Sequence, residues 1–263
     1  MYLLQNNLLE CLRKQNRNVH QITVNHNTTF RRKRNMAVKH LEIEPLKETV
    51  VRLEIEGESD LILHKRSRYY EQAEVWKQGH DKGAKMPEIY SQGKNIWEGL
   101  ITGIHWENPI EFHDEDIMLY TEEEWNNYMV NNRPCILTIA FKKSFAQAFT
   151  TFLKESTKKN GTDIRRSLSV TGEKGTLCPV TFGSVEVVNK IVPTSGISAS
   201  PVLCSQNVFH NWKTTIEVAC PDIVFPMETI LQLIATTGKY IGIGSQHENG
   251  YGRYRIVNAD RIK

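Results

Sequence analysis

Four glycines stand within eleven residues near the C-terminal end of the chain, interleaved with aromatic and basic residues. Glycine allows a backbone to approach a ligand closely, and the N–H groups of such a loop can face a phosphate. The segment therefore predicts a phosphate-binding loop, or a tight turn that only returns the last strand to its sheet. The residues expected to act here are Lys239, Tyr240, Gly242, Gly244, Gly250, Tyr251, Gly252 and Arg253.

A helix and a strand are expected on either side of this loop. Apolar residues recur at helical spacing over 227–236, after Pro226, whose missing N–H suits a first turn. Thr237-Gly238 ends the pattern, since glycine adopts the left-handed conformation that terminates helices. Residues 253–258 follow as the last strand, so the loop joins a helix to a strand.

This ending resembles the C-terminal glycine-rich loop of the RAMP superfamily, the RNA-binding proteins of CRISPR systems. It is most similar to a group of bacteriophage and prophage proteins with a RAMP-like ending. The resemblance lies in Thr237–Gly244, Gly250–Tyr254, Ala140–Phe145 and Leu61–Lys65, and covers about half of the chain. Ser245-Gln246-His247 departs from the Glu-Trp-Arg usual in that group. The resemblance implies a ferredoxin-like fold and RNA binding in a bacterial cytoplasm.

Two further basic clusters are candidates for phosphate contacts. Lys65 and Arg66 follow the apolar segment 61–63, and Lys142 and Lys143 begin a helix expected over 142–156. Positive charge is disfavoured at a helix N-terminus, so the second pair suggests another role. Phosphate binding is the functional interpretation of both clusters, and solvated surface lysines are the alternative.

The order of the expected elements predicts an α+β fold. Strand 50–56, helix 142–156, strands 180–192 and 213–219, helix 227–236 and strand 253–258 give β-α-β-β-α-β. This is a ferredoxin-like, RRM-like core, with residues 57–135 inserted after the first strand. The insertion is acidic and aromatic, and a capping box at Thr121–Glu124 predicts a short helix there.

Residues 1–35 differ from the rest of the chain. They carry seven basic side chains against one acidic, so the formal charge of +3 becomes −3 for residues 36–263. We expect 1–35 to be a disordered tail, a basic arm, or sequence upstream of a natural start at Met36, and 36–263 to form one domain. Overall charge therefore does not predict nucleic-acid binding, and local clusters must account for it.

Composition and motifs exclude other classes of protein. No apolar run is long enough to span a bilayer, and five scattered cysteines predict a reducing cytoplasm. His113, Asp114 and Asp116 lack a second ligand cluster, so no metal or cofactor is expected. The chain lacks the sequence signatures of common hydrolases and nucleotide-binding enzymes.

The sequence thus predicts a protein that holds single-stranded RNA or DNA along its backbone, rather than an enzyme. The sheet face and the glycine-rich loop are expected to hold the strand. The alternatives are a metal-independent RAMP-type ribonuclease using His64 or His247, and an oligomeric scaffold or protein-interaction module built on the acidic insertion. Assembly into a homo-oligomer or filament is compatible with each of these.

Overall fold

The computed structural model describes residues 46–81, 83–85, 87, 95–110, 120–153, 159–193 and 201–263, without side chains at 191–193 and 201–203. The strands are β1 (Glu48–Gly57), β2 (Leu61–Leu63), β3 (His105–Trp106), β4 (Pro134–Leu137), β5 (Ser169–Gly172), β6 (Leu177–Pro179), β7 (Ser184–Pro193), β8 (Pro201–His210), β9 (Lys213–Pro221) and β10 (Tyr254–Arg261). The α-helices are α1 (Arg68–Gln78), α2 (Ile96–Thr102), α3 (Glu122–Asn131), α4 (Thr138–Ala148), α5 (Gly161–Ser167) and α6 (Met227–Thr236). Phe149–Leu153 and Thr237–Ile241 continue α4 and α6 as π-helical turns.

The largest sheet that the described residues form has four strands in the order β10-β1-β9-β5. Every neighbouring pair is antiparallel. Val51, Leu53 and Ile55 alternate with charged residues along β1, so one face of the sheet is buried and the other meets solvent. Pairs such as Leu53 opposite Ile216 continue the apolar face onto β9.

Helices α4 and α6 contribute the side chains that cover the buried face. Phe141 and Phe145 of α4, and Ile230 and Ile234 of α6, are fully buried in a core shared with β1 and β9. These residues repeat at intervals of four, which puts each pair on one side of its helix. Burying a side chain of this size stabilises a fold by about 1.5–3 kcal/mol, so this layer is a main source of stability.

Two smaller sheets contain the remaining described strands, in the orders β2-β8-β7 and β3-β4-β6. The first includes a long antiparallel pair, β7 with β8. The capping box predicted at Thr121 is confirmed, and α3 begins there. Trp106 and Trp125 of the acidic segment are buried, so this segment packs on the core through its aromatic residues as expected.

Some of the predicted elements differ from the structure. The strand expected at 180–192 was predicted to belong to the same sheet as the first strand. The structure instead pairs Ser184–Pro193 with β8, in another sheet. Its place in the main sheet, on the side of β9 away from β1, is taken by β5, which is only four residues long. The helix expected over 142–156 begins earlier, at Thr138, and changes to π-helical geometry at Phe149. The possible metal ligands His113, Asp114 and Asp116 and the N-terminal segment 1–35 lie outside the described residues.

Candidate nucleic-acid interface

The glycines of the C-terminal loop are required by close backbone contacts. All four predicted glycines have positive φ, a conformation that side chains other than glycine's adopt rarely. A Cβ atom on Gly252 would lie 1.8 Å from the carbonyl oxygen of Ile243, and one on Gly244 would lie 2.6 Å from that of Ile62. Only around Gly250 is the space open. Three of the glycines therefore hold the loop tightly against itself and against β2.

Most N–H groups of this loop already donate hydrogen bonds within the protein. That of Gly242 donates to the carbonyl of Thr237, and that of Ser245 to the carbonyl of Ile62. The same holds for the N–H groups of Ile243, Asn249, Gly250, Gly252 and Arg253. The N–H groups of Gly242, Gly250 and Gly252 are therefore already paired within the protein rather than available to a phosphate. The phosphate-binding role of the loop stays a prediction.

Tyr251 and Arg253 are the loop side chains proposed for contacts with a phosphate, and a lysine of β7 lies beside Tyr251. The Nζ atom of Lys190, on β7, lies 3.1 Å from the Tyr251 hydroxyl and 4.8 Å from the centre of its ring. Arg253 has a buried Nη1 atom that meets no hydrogen-bond partner among the described residues. Because this Nη1 atom is buried, only the accessible part of the half-buried Arg253 side chain is available to a phosphate. Lys190 was not predicted from the sequence, because its approach to Tyr251 depends on the pairing of β7 with β8.

The histidines differ in how firmly they are held. His64 is at the surface, and desolvation by neighbouring protein atoms lowers its pKa. His247 is half-buried in a short 3₁₀ turn. His210, by contrast, has its Nδ1 atom 2.7 Å from Asp60 and its Nε2 atom 3.8 Å from Glu186. The structure thus orients a different histidine from the two that the sequence favoured.

The basic residues after β2 are Lys65 and Arg66. Lys65 is half-buried, and its N–H donates to the carbonyl of Gly103 at the end of α2. The pKa of nearby His105 is lowered by desolvation and by the charge of Lys65. Arg66 is exposed. These two residues are available at the surface, beside α2 rather than beside α4.

The helical layer concentrates positive charge. It consists of α4 and α6 with their π-helical turns, and of α5 with the two residues before it. Six of the side chains in residues 138–153, 159–167 and 227–241 are basic and two are acidic. The basic residues are Lys142, Lys143, Lys159, Arg165, Arg166 and Lys239, and the acidic ones are Asp163 and Glu228. Lys159 is engaged, because it contacts the carbonyl of Val224 and stacks on Phe225. Lys143 and Lys239 are exposed and Lys142 is half-buried.

The solvent-facing side of the main sheet is different. Its basic residues are paired with acids: Arg52 with Glu217 at 2.6 Å, and both Lys213 and Arg255 with Glu56 at 2.9 and 2.6 Å. Glu54 and Asp260 add two more acids to this face. We expected a nucleic-acid strand to lie on the sheet face. That face has no excess of positive charge, so the helical side is the better candidate.

The described residues offer little for metal or small-molecule chemistry. They contain no group of three or more metal-ligating side chains, and no helix among them is long and apolar enough to cross a bilayer. A groove of about 440 Å³ opens where the start of β1, the start of α6 and the end of β10 meet. It is lined by Thr49, Val51, Asp222, Pro226, Met227, Glu228, Leu231, Ala259 and Arg261. None of the sequence-predicted site residues lines it.

Comparison with known proteins gives distant structural similarity only. No family model matches the sequence, and no curated protein matches it. One similar solved chain belongs to the Type III-B Cmr-β bound to cognate target RNA, with 14% identity and a TM-score of 0.39 over 82% of this chain and 61% of that one. Another is Cmr6 from Pyrococcus furiosus, with 10% identity and a TM-score of 0.37 over 81% of this chain and 100% of that one. Both identities are too low to transfer a property to this chain.

Proposed function

We propose that this chain is a RAMP-like protein with a ferredoxin-like core that binds single-stranded nucleic acid, RNA or DNA, along its backbone. The strand order β10-β1-β9-β5 supports the core, because β1-α4-β5 and β9-α6-β10 are then two interleaved β-α-β units. The glycine-rich loop falls between α6 and β10, the position that the resemblance implies.

The observation that carries the proposed function is the unequal charge of the two sides of the main sheet. Nucleic-acid affinity comes largely from lysine and arginine contacts with phosphates. The helical side carries a basic excess, whereas the open side of the sheet is paired internally. The phosphate backbone therefore runs over the helices.

Specific residues are assigned to this surface. Lys142, Lys143 and Lys239 contact phosphates on the helical side, and Tyr240, which is 52% exposed, is available to stack a base. Arg253 and Tyr251 extend the surface at the loop, with Lys190 beside Tyr251. Lys65 and Arg66 form a further basic contact beside α2. Gly242, Gly250 and Gly252 position these side chains, since their own N–H groups are paired within the protein.

Salt-dependent binding tests the proposal. Fluorescence anisotropy with labelled single-stranded RNA and DNA, at salt concentrations from about 50 to about 200 mM, gives the slope of log K against log salt. Lys142→Gln/Lys143→Gln should reduce that slope by about 1.4, since each lost phosphate contact is worth about 0.7 for a single strand. The control Arg52→Gln/Lys213→Gln removes the same charge from the open side of the sheet.

The control variant should bind like the unchanged protein. Equal loss in both variants would show that only net charge matters and would refute the proposed surface. Absence of binding by the full chain to RNA and DNA would refute the function, and would leave a scaffold or protein-interaction role as the explanation of the fold.

One observation favours a second function, a metal-independent ribonuclease. His210 is held by Asp60 as a general base would be, with its second nitrogen near Glu186. Cleavage of single-stranded RNA in the presence of a chelator, lost in His210→Ala and retained in His64→Ala and His247→Ala, would establish it. Intact RNA after incubation with the unchanged protein would exclude it.

A further inference from the structure

Two aromatic side chains meet at the surface where the two π-helical turns lie side by side. Phe152 belongs to the turn that ends α4, and Tyr240 to the turn that ends α6. Their ring centres are 5.4 Å apart and their planes are tilted by 47°. Phe152 is 47% exposed and Tyr240 is 52% exposed. The pair therefore presents aromatic surface to solvent.

The backbone geometry around this pair is unusual in the same place. π-helical turns are rare, and they occur frequently at functional sites, since they shift the side chains that follow out of the regular helical positions. Here Phe141 and Phe145 of α4 and Phe149 at the start of the π turn are buried, whereas Phe152, later in the same turn, is not. Two such turns, each with an exposed aromatic residue in contact with the other, form one surface feature.

The charge around the pair is positive. The Nζ atom of Lys239 lies 5.3 Å from the centre of the Tyr240 ring. Segments 138–153 and 237–241, which contain the pair, have no aspartate or glutamate. An aromatic face with an adjacent cation suits a nucleobase joined to a phosphate.

We propose that Phe152 and Tyr240 form a stacking platform for a base of the bound single strand, with Lys239 contacting the adjoining phosphate. This inference rests on the proposed function and adds a site to it, since Phe152 was not among the residues predicted from the sequence. An apolar protein partner would gain from the aromatic rings but not from Lys239, so nucleic acid is the better occupant.

Leucine substitutions test the platform without removing its apolar bulk. Tyr240→Leu and Phe152→Leu should each weaken binding of labelled single-stranded RNA or DNA by about 5- to 150-fold, the range measured for loss of one stacked base. Tyr240→Trp should keep the affinity, because it keeps the aromatic face. Ile139→Ala, at an apolar position of α4 that is 44% exposed, is the matched control and should bind normally.

An abasic oligonucleotide gives a second measurement specific to stacking. It should bind the unchanged protein more weakly than the normal strand, and Tyr240→Leu should then cause little further loss. Unchanged thermal unfolding of each variant shows that any loss is not due to misfolding.

The outcomes separate the two proposals. Normal binding by the leucine variants, while the unchanged protein binds, overturns the platform and leaves the proposed function intact. Absence of binding by the unchanged protein overturns both. A change of oligomeric state in Tyr240→Leu, seen by light scattering with unaltered affinity, overturns the platform in favour of a contact between copies of the chain.

Discussion

The N–H of Gly252 donates a 2.7 Å hydrogen bond to the carbonyl of Asp60, and so fixes the C-terminal loop to the start of β2. Asp60 also holds His210 through its carboxylate. Three segments distant in sequence, the end of the β1–β2 turn, the end of β8 and the glycine-rich loop, are therefore joined at one residue. The loop therefore stabilises the fold by linking these segments, in addition to being a candidate binding element.

Gly252→Ala should destabilise the protein severely. The new Cβ would lie 1.8 Å from the carbonyl oxygen of Ile243, and the backbone there cannot move without breaking the bond to Asp60. Gly175→Ala is the matched control, since its φ of 69° equals that of Gly252 at 68° within a degree but no atom lies near its Cβ. The control should lose about 1–2 kcal/mol from left-handed strain alone.

Urea unfolding monitored by circular dichroism gives the free energy of unfolding of both variants. Gly252→Ala should lose several kcal/mol more than Gly175→Ala, or should fail to fold. Equal losses would show that the loop tolerates the added methyl group and is not held as described.

Arg133 is predicted to stabilise the protein in a pH-dependent way. It makes two hydrogen bonds to Glu107, at 2.6 and 2.9 Å, and two more to Glu173. The hydrogen bond with Arg133 lowers the pKa of Glu107 below its ordinary 4.5. The stabilisation is therefore present above pH 4.5 and is lost as the pH falls through the lowered pKa.

Arg133→Met should lower the melting temperature at pH 7. The difference in melting temperature between this variant and the unchanged protein should shrink as the pH falls below 4.5. Arg166→Met, at an exposed position of α5, is the control. Calorimetry between neutral and acid pH measures both. A deficit for Arg133→Met that stays constant with pH would show that the loss is one of packing rather than of charge.

The sequence predicted local features better than pairing. Helix 227–236 was predicted with the bounds that α6 has, because its apolar period and Pro226 are local signals. The expectation that Gly238 ends the helix in a left-handed conformation was wrong, since the chain continues through it as a π-helical turn and the residue with positive φ is Gly242. β5 was missed because four residues, Ser-Val-Thr-Gly, carry too short a pattern. Residues 180–192 show a stronger alternation of apolar and polar side chains and were therefore predicted as a strand of the main sheet. Such alternation predicts a strand but does not predict which sheet the strand joins. Lys190 was missed as a site residue for the same reason, since Tyr251 lies far from it in sequence.

Buried cysteines should be inert to alkylation in the folded protein. Desolvation raises the pKa of Cys135 and of Cys178 to about 12, so each thiol stays protonated at neutral pH. Thiolates are the reactive species. Iodoacetamide at pH 8 should therefore leave both unmodified in native protein and modify both in urea, as read by mass spectrometry, with half-buried Cys204 as the internal comparison. Modification of Cys135 before unfolding would show that β4 opens locally.

The side chain of Asn207, on β8, is predicted to fix the segment that contains α2 and α3 to the sheet of β2, β7 and β8. It is buried, it accepts a 2.8 Å hydrogen bond from Nε1 of Trp125, and its amide donates a 2.8 Å bond to the carbonyl of Leu100. Asn207→Leu leaves a buried N–H and a buried carbonyl without partners, which should cost about 2–5 kcal/mol in unfolding free energy.

A double-mutant cycle separates the hydrogen bond from packing. Trp125→Phe removes the N–H donor, so Asn207→Leu should cost about 1 kcal/mol less in the Trp125→Phe protein than alone, because one unpaired group is then absent. Additive losses from the two substitutions would refute coupling through this bond. They would mean that Trp125 contributes through its apolar packing, and that Asn207 acts through its bond to the carbonyl of Leu100.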